Sequence, residues 1–394
     1  MVSTVARLWT AVFVVAFGTN VPTPLLLVYR DELGLSSDAL TGAFGVYAAG
    51  LVPALLLAGP ASDRFGRRPV VVPFVVLSAL TSLLFLGAGS SVELLFVCRW
   101  LQGAVSGVVF SVGTAWLAEL VDDPPRAARR TTAALSAGWA LGPCLSGVLA
   151  QWLPWPTALP YLVHVALMIV GLVLIPRVPE TLAPEDRRRG RWVDLGVPKP
   201  ARVPFALVVV PIAIGVFTFP ATAVTVLPLL LTPAMPEIAV AITGFVAGVT
   251  LLTGTLAPPL ARRLGTAAGP AGFGIGAAGF GLALLGVALH AWPVLIPTAV
   301  LLGLAYGLCL TGGLTMVGEL ADPTARGAVT ATFYACAYLG FAVPLLLSVI
   351  GGADAGALGF VAPLTGLTVL VAVVAAVLAT PRARAAVGRV SRVG

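Results

Sequence analysis

Apolar runs of about 20 residues follow one another along almost the whole chain, separated by short polar breaks. As helices, runs of that length span a hydrocarbon layer of roughly 30 Å. They do not alternate apolar and polar residues, which argues against the strands of a membrane barrel. The pattern predicts six helices near residues 7–28, 39–58, 69–89, 93–118, 131–153 and 157–175. Six more are predicted near 204–231, 238–260, 267–289, 292–318, 327–350 and 356–379. The first run continues to about Leu27 with no small-residue cleavage site, so it reads as a span and not as a signal peptide. The longest polar stretch, 176–203, holds Arg177, Arg187, Arg188, Arg189, Arg191, Lys199 and Arg202 and reads as a linker with room for a short surface helix. The expected organisation is therefore 1–175, a first bundle; 176–203, the linker; 204–379, a second bundle; and 380–394, a tail.

The polar residues between runs set the orientation. With both termini placed in the cytoplasm, all of the 23 Lys and Arg residues except Arg30 and Arg99 fall on the inner side. A multi-pass protein of the cell membrane follows, with Trp152, Trp155, Tyr161 and Trp292 expected as an aromatic belt at the outer interface.

Composition adds little to that picture but excludes alternatives. The chain is 59% hydrophobic and 10% charged, far from a soluble domain. Its net charge of +7 lies in short arginine clusters between spans, a topology signal rather than a nucleic-acid face. Cys98, Cys144, Cys309 and Cys336 sit inside apolar runs without ligand spacing, so neither disulfides, metal nor another cofactor is expected. Gly272-Phe273-Gly274-Ile275-Gly276 matches part of a nucleotide fingerprint but follows no strand, and reads as helix packing.

The chain also repeats itself. Glu119-Leu120, Asp122 and Arg126 recur as Glu319-Leu320, Asp322 and Arg326, and Gly103, Gly107 and Gly113 recur as Gly303, Gly307 and Gly313, all at an offset of 200. Pro24-Leu25-Leu26-Leu27 returns as Pro228-Leu229-Leu230-Leu231. A shared offset across several motifs indicates a duplicated six-helix unit.

The densest polar segment is Gly59-Pro60-Ala61-Ser62-Asp63-Arg64-Phe65-Gly66-Arg67-Arg68-Pro69. Gly66 permits a tight turn and Pro69 suits the first turn of the next helix. The positive-inside rule accounts for the arginines but not for Asp63 or the glycine spacing. This segment resembles the loop between the second and third helices of the major facilitator superfamily. The resemblance implies an all-α integral membrane fold of twelve helices in two pseudo-symmetric six-helix bundles, with a small-molecule substrate held between them near the midplane. It also implies that Asp63, Arg67, Glu119, Arg126, Glu319 and Arg326 form ion pairs between the halves that part when the protein opens inward. Arg64, Arg68, Arg129 and Arg130 are better explained as anchors.

Other residues extend the resemblance. Arg99-Trp100-Leu101-Gln102-Gly103 is similar to a fourth-helix motif whose arginine faces the cavity and handles protons or substrate. The alternative is that Arg99, about 9 Å from the outer end of its helix, snorkels to the surface. Gly138, Gly142, Pro143 and Gly147 are similar to the fifth-helix pattern of the antiporter branch, although small-residue packing gives the same spacing. Where proton-coupled exporters of this superfamily often carry an acid, this chain has Asn20 within Gly18-Thr19-Asn20-Val21-Pro22-Thr23-Pro24, an irregular segment because of its prolines. None of the sixteen Asp and Glu residues lies deep in a span. His164 reads either as a titrating group or as a hydrogen-bonded core residue.

The function expected from the resemblance is secondary transport by alternating access, as proton-coupled efflux of an amphipathic or hydrophobic molecule by a monomer. Asn20, Thr23, Tyr47, Arg99, Gln102, Trp139, His164, Phe217, Tyr306, Tyr334 and Tyr338 are the candidate pathway residues. An uptake or facilitative carrier for a sugar or organic anion is the alternative, with Arg99 binding substrate. A membrane sensor or enzyme lacks any motif here.

Overall fold

In the computed structural model, the structure describes residues 3–187, 197–235, 237–320, 326–352 and 359–381. Asp322, the side chain of Arg326, Arg188, Arg189, Arg191 and the tail arginines lie outside the described residues. Within them the regular structure is helical, as the lack of apolar/polar alternation requires. Among the described residues, eleven helices are long and apolar enough to cross a membrane: α1 (Thr4–Leu33), α2 (Ser37–Phe65), α3 (Arg67–Ser90), α4 (Val92–Glu119), α5 (Arg126–Trp152), α6 (Leu159–Arg177), α7 (Lys199–Ala234), α9 (Pro258–Ala288), α10 (Trp292–Leu320), α11 (Gly327–Gly351) and α12 (Val361–Leu378). A twelfth, α8 (Ala239–Thr255), is apolar but shorter. It stops ahead of Pro258, the first residue of α9, so the predicted end of the eighth span near 260 is corrected to Thr255.

Contacts divide the chain into two units. One holds Met1–Leu35, Ala43–Val193 and Val240–Gly248; the other holds Ser36–Gly42, Asp194–Ala239 and Val249–Gly394. The division departs from a plain cut at the linker by two short exchanges, and side chains explain both. Gln151 of α5 accepts from the backbone N–H of Val240 and Ala241 and so caps α8 within the first unit. In the second unit, the Ser348 hydroxyl donates to Asp38.

The first unit is built around α1. Leu8, Val12, Val15, Val75, Val109, Trp116 and Met168 form its core. α1 breaks at Asn20–Val21, between Thr4–Thr19 and Pro22–Leu33, for a local reason. Pro22 and Pro24 have no N–H to give the carbonyls four residues back, those of Gly18 and Asn20. Thr23 N instead bonds Asn20 O at 3.1 Å, and Val21 N reaches Gly18 O at 3.3 Å.

Helix pairs close where the duplicated glycines lie. A Cβ on Gly103 would sit 2.0 Å from the Tyr47 carbonyl of α2, and one on Gly303 would sit 2.3 Å from the Thr250 carbonyl of α8. Gly107 and Gly307 bring their helices equally close to Leu51 and Gly254. Each unit therefore uses the same pair of positions to bring two backbones into contact, as small residues do in membranes. On α5, Gly138 and Gly142 admit the backbone of α1 at Phe13 and Phe17, while Gly147 admits α8 at Val240 and Gly244. Pro143 lies inside the helix between these two contacts.

Leu80, Leu83 and Leu84 on α3, Ile169, Val170 and Val173 on α6, and Val369, Leu370, Val373 and Val377 on α12 are exposed at helical spacing. Such apolar stripes suit lipid. Trp152 and Trp155 are exposed, but Tyr161 does not belong to an interfacial belt. It is 1% exposed, accepts a hydrogen bond from the Tyr29 hydroxyl at 3.1 Å and stacks on Phe85 at 4.6 Å. A phenol whose hydroxyl finds a partner inside has no need of the water interface.

Candidate functional site

Arg99 is 2% exposed, so it does not snorkel. Its Nε donates to the Ala43 carbonyl at 3.1 Å, and one terminal nitrogen donates to Gln102 Oε1 at 2.6 Å. The guanidinium lies 5.0 Å from the Phe44 ring centre and 4.8 Å from that of Tyr47. No ion pair to Arg99 occurs among the described residues; carbonyls and aromatic faces hold the charge. Burying an arginine at the centre of a membrane helix costs about 2.5–3.5 kcal/mol on insertion scales, and those contacts offset it.

Gln102 passes the interaction on. With its carbonyl oxygen held by Arg99, its amide nitrogen donates to Gly18 O at 2.8 Å, one of the carbonyls deprived by the prolines of α1. Thr19 and Ser106 hydroxyls meet at 3.1 Å, and Tyr47 hydrogen-bonds Ser106. His164 lies on the same wall. Its Nε2 is 3.0 Å from the Val14 carbonyl and its Nδ1 is 2.6 Å from the Ser82 hydroxyl. A cavity with about 10 Å³ open to the centre of a water molecule, room for roughly one, lies among Thr19, Ser78, Thr81, Ser82, Gln102, Ser106 and His164. The structure thus brings together Tyr47, Arg99, Gln102 and His164 in a polar hub spanning α1, α2, α3, α4 and α6. Asn20 lies half-buried at the α1 break, and the Thr23 hydroxyl is buried without a partner among the described residues. Trp139 packs edge-on against Phe110 at 5.4 Å.

The second unit collects a different set. Phe217 stacks on Tyr338 at 4.6 Å, on Phe341 at 4.9 Å and on Tyr306 at 6.1 Å. Phe217 and Phe341 keep part of their surface exposed. Tyr334 is half-buried and lies edge-on to its neighbour Phe333.

The α2–α3 hinge turns at Gly66, whose φ of 104° is open to glycine and strained for other residues. Arg67 binds Asp63 at 2.6 Å and the Ser62 hydroxyl at 2.8 Å, and its fork meets Glu119 at 2.9 Å. These pairs lie within the first unit: one guanidinium reaches an acid four residues back and another at the end of α4, while the side chain of Arg326, expected to pair from the second half, lies outside the described residues. Arg64 lies over Phe65, whereas Arg68, Arg126 and Glu319 are exposed, and Gly59 has open space around its Cβ position.

Glu180, left inside the linker by the sequence reading, completes this hinge. Its carboxylate accepts from the backbone N–H of Arg67 at 3.0 Å, Arg68 at 2.9 Å, Thr181 at 3.1 Å and Leu182 at 3.0 Å. An acid at a helix start satisfies orphan donors and complements the helix dipole. Burial alone would raise the carboxyl's proton affinity, but the four donors outweigh it and hold Glu180 below its ordinary value. Thr181 donates to Glu119, and Trp116 Nε1 donates to Pro179 O at 3.0 Å, so the chain leaving α6 is fastened beneath α3 and α4. The separation of more than 110 residues between Glu180 and its partners on α3, Arg67 and Arg68, hid this role; an acid ahead of a polar stretch was the only local signal.

A family model described as Major Facilitator Superfamily matches residues 8–267. The chain belongs to the major facilitator superfamily. Multidrug resistance protein MdtL of Shewanella sp. (strain ANA-3) is 30% identical over 148 residues, 36% of this chain and 37% of that protein. Multidrug resistance protein 1 of Bacillus subtilis (strain 168) is 30% identical over 150 residues, 38% of each. In both, the match spans well under half of the relative's length. Among solved structures, a peptide transporter POT aligns at TM-score 0.79 and 14% identity, covering 98% of this chain and 95% of that one. A nucleoside transporter NupG aligns at TM-score 0.75 and 13% identity, covering 96% and 100%. At such identities these likenesses concern the superfamily fold alone. The chain is a multi-pass membrane protein of this superfamily and not an enzyme.

Proposed function

We propose that this superfamily member exports small amphipathic or hydrophobic molecules across the cell membrane, in exchange for protons, by alternating access. It works as a monomer with both termini in the cytoplasm. The observation that carries the reading is the stack of Phe217, Tyr306, Tyr338 and Phe341, in which two rings keep exposed surface. Flat, greasy molecules are recognised by area and stacking, with few charges. The two multidrug resistance relatives support the same direction.

The alternative, uptake of a sugar or organic anion with Arg99 binding it, is less well supported. Arg99 already gives one N–H to Ala43 and one to Gln102, and its guanidinium lies over the rings of Phe44 and Tyr47.

The test is ethidium movement in proteoliposomes with an imposed pH gradient. Ethidium is expected to accumulate against its gradient in the unsubstituted protein, and Phe217→Ala is expected to raise the apparent KM about tenfold, the loss of one stacking contact of about 1.5 kcal/mol. Gradient-independent ethidium flux, or none, refutes the exchange. Cysteine labelling of positions 63 and 326 checks the topology: both should react from the cytoplasm.

A further inference from the structure

Resting on the proton-exchange reading above, we propose that His164 is the proton-carrying group of this chain. The pocket beside it is the site where the proton arrives and leaves.

Three observations on geometry lead there. First, the hydrogen bonds define the tautomer. The Val14 carbonyl accepts only, so Nε2 carries the hydrogen, and Nδ1 is the acceptor of the Ser82 hydroxyl. The unprotonated position of the ring therefore faces the Ser82 side, where the water-sized cavity lies. Secondly, besides Val15, Gly18 and Val105, that cavity is lined by five hydroxyls and one amide: those of Thr19, Ser78, Thr81, Ser82 and Ser106, and that of Gln102. Hydroxyls reverse donor and acceptor roles by rotation, which is what a passing proton requires. Thirdly, the ring lies against α1 just ahead of its break. A Cβ on Gly18 would sit 2.3 Å from the imidazole, Val14 holds its other nitrogen, and the α1 break starts two residues on.

Among the described residues, none of the groups facing His164 is a carboxylate. α1 presents Val14, Phe17 and Gly18 to it, and α3 presents Ser78, Thr81 and Ser82. α4 brings Gln102, with Arg99 behind it, and Tyr47 of α2 stands behind Ser106. The membrane part of α5 carries Cys144 as its titratable residue, and α6 itself carries Tyr161, held by Tyr29.

A hydronium in the pocket loses a proton and becomes water; an N–H bond forms at Nδ1, and the Ser82 hydroxyl turns to accept it and to donate into the pocket. The imidazolium then shares its pocket with Gln102, the amide that Arg99 holds. Its charge bears on Gly18 and Val14 on one side of the α1 break, while Gln102 holds the same segment through Gly18 O. Return of the proton to water restores the neutral ring.

The experiment uses the full-length protein in lipid nanodiscs. It has two histidines, so ¹⁵N-histidine labelling gives two imidazoles, and His290→Gln assigns them. His164 is expected to hold the Nε2–H neutral form at high pH and to gain a proton at Nδ1 on going from about pH 8 to roughly pH 5. A ring that stays neutral over that range overturns the proposal. In proteoliposomes, one proton exchanged per ethidium sustains about a tenfold ethidium gradient per unit of imposed pH gradient. That tenfold is expected to fall to about onefold in His164→Gln, with Ser82→Ala as a variant that leaves the ring in place but removes its relay. A full tenfold in His164→Gln overturns the proposal. If the unsubstituted protein moves no ethidium, the export reading fails, and the spectrum alone decides for or against His164.

Discussion

Replacing Glu180 by Ala removes four hydrogen bonds at once, those from the backbone N–H of Arg67, Arg68, Thr181 and Leu182. Two of the donors are the first residues of α3, where no intrahelical acceptor exists. Losing a helix cap costs about 0.5–2 kcal/mol, and each hydrogen bond to a charged group about 1.5–3. Arg68 is exposed and Glu180 half-exposed, so water replaces much of this, and the loss should be about 2–3 kcal/mol rather than the full sum. For a unit of roughly 200 residues that is about 4–12 °C in the midpoint of unfolding, readable by thiol-reactive dye in detergent at pH 7. The pH dependence gives an independent check. Glu180 is held below its ordinary value of 4.5 in the folded protein, so its stabilisation is complete above that value. It disappears as pH falls through the folded value. The gap between Glu180→Ala and the unsubstituted protein should be constant from about pH 7 to pH 5 and close at lower pH. A gap below about 1 °C at pH 7, or one that widens on acidification, refutes the capping role.

Three further outcomes follow from the packing. Gly103→Val and Gly303→Val should each cost about 3 kcal/mol or more and lower the yield of folded protein, because the new atoms meet carbonyls of a neighbouring backbone, whereas Gly59→Ala should be silent. Size-exclusion profiles of the three variants decide it. Gln102→Leu should destabilise the first unit by about 3 kcal/mol, leaving Arg99 and the Gly18 carbonyl each short of a buried partner; an unchanged thermal midpoint would count against the hub. Arg67→Met leaves Asp63 and Glu119 facing each other without their shared cation and should lower the thermal midpoint, less so in high salt; a salt-independent effect would refute the ionic origin.

The spans, the duplication and the α1 break were legible in the sequence because each depends on local facts. A run of apolar residues long enough to cross a bilayer is a property of the run, and a proline withholds its N–H whatever surrounds it. The hinge motif and the glycine spacings were legible for the same reason. The partners were not. Arg99 looked able to snorkel until the fold placed Ala43, Phe44 and Gln102 around it. Tyr161 read as interfacial until Tyr29 supplied a buried partner, and Glu180 had no role until α3 began beside it. Membrane helices satisfy their own backbones, so sequence alone dictates that they form. Which polar side chain meets which depends on helix rotation and contact across 50 to 150 residues of chain, and only the tertiary structure decides that.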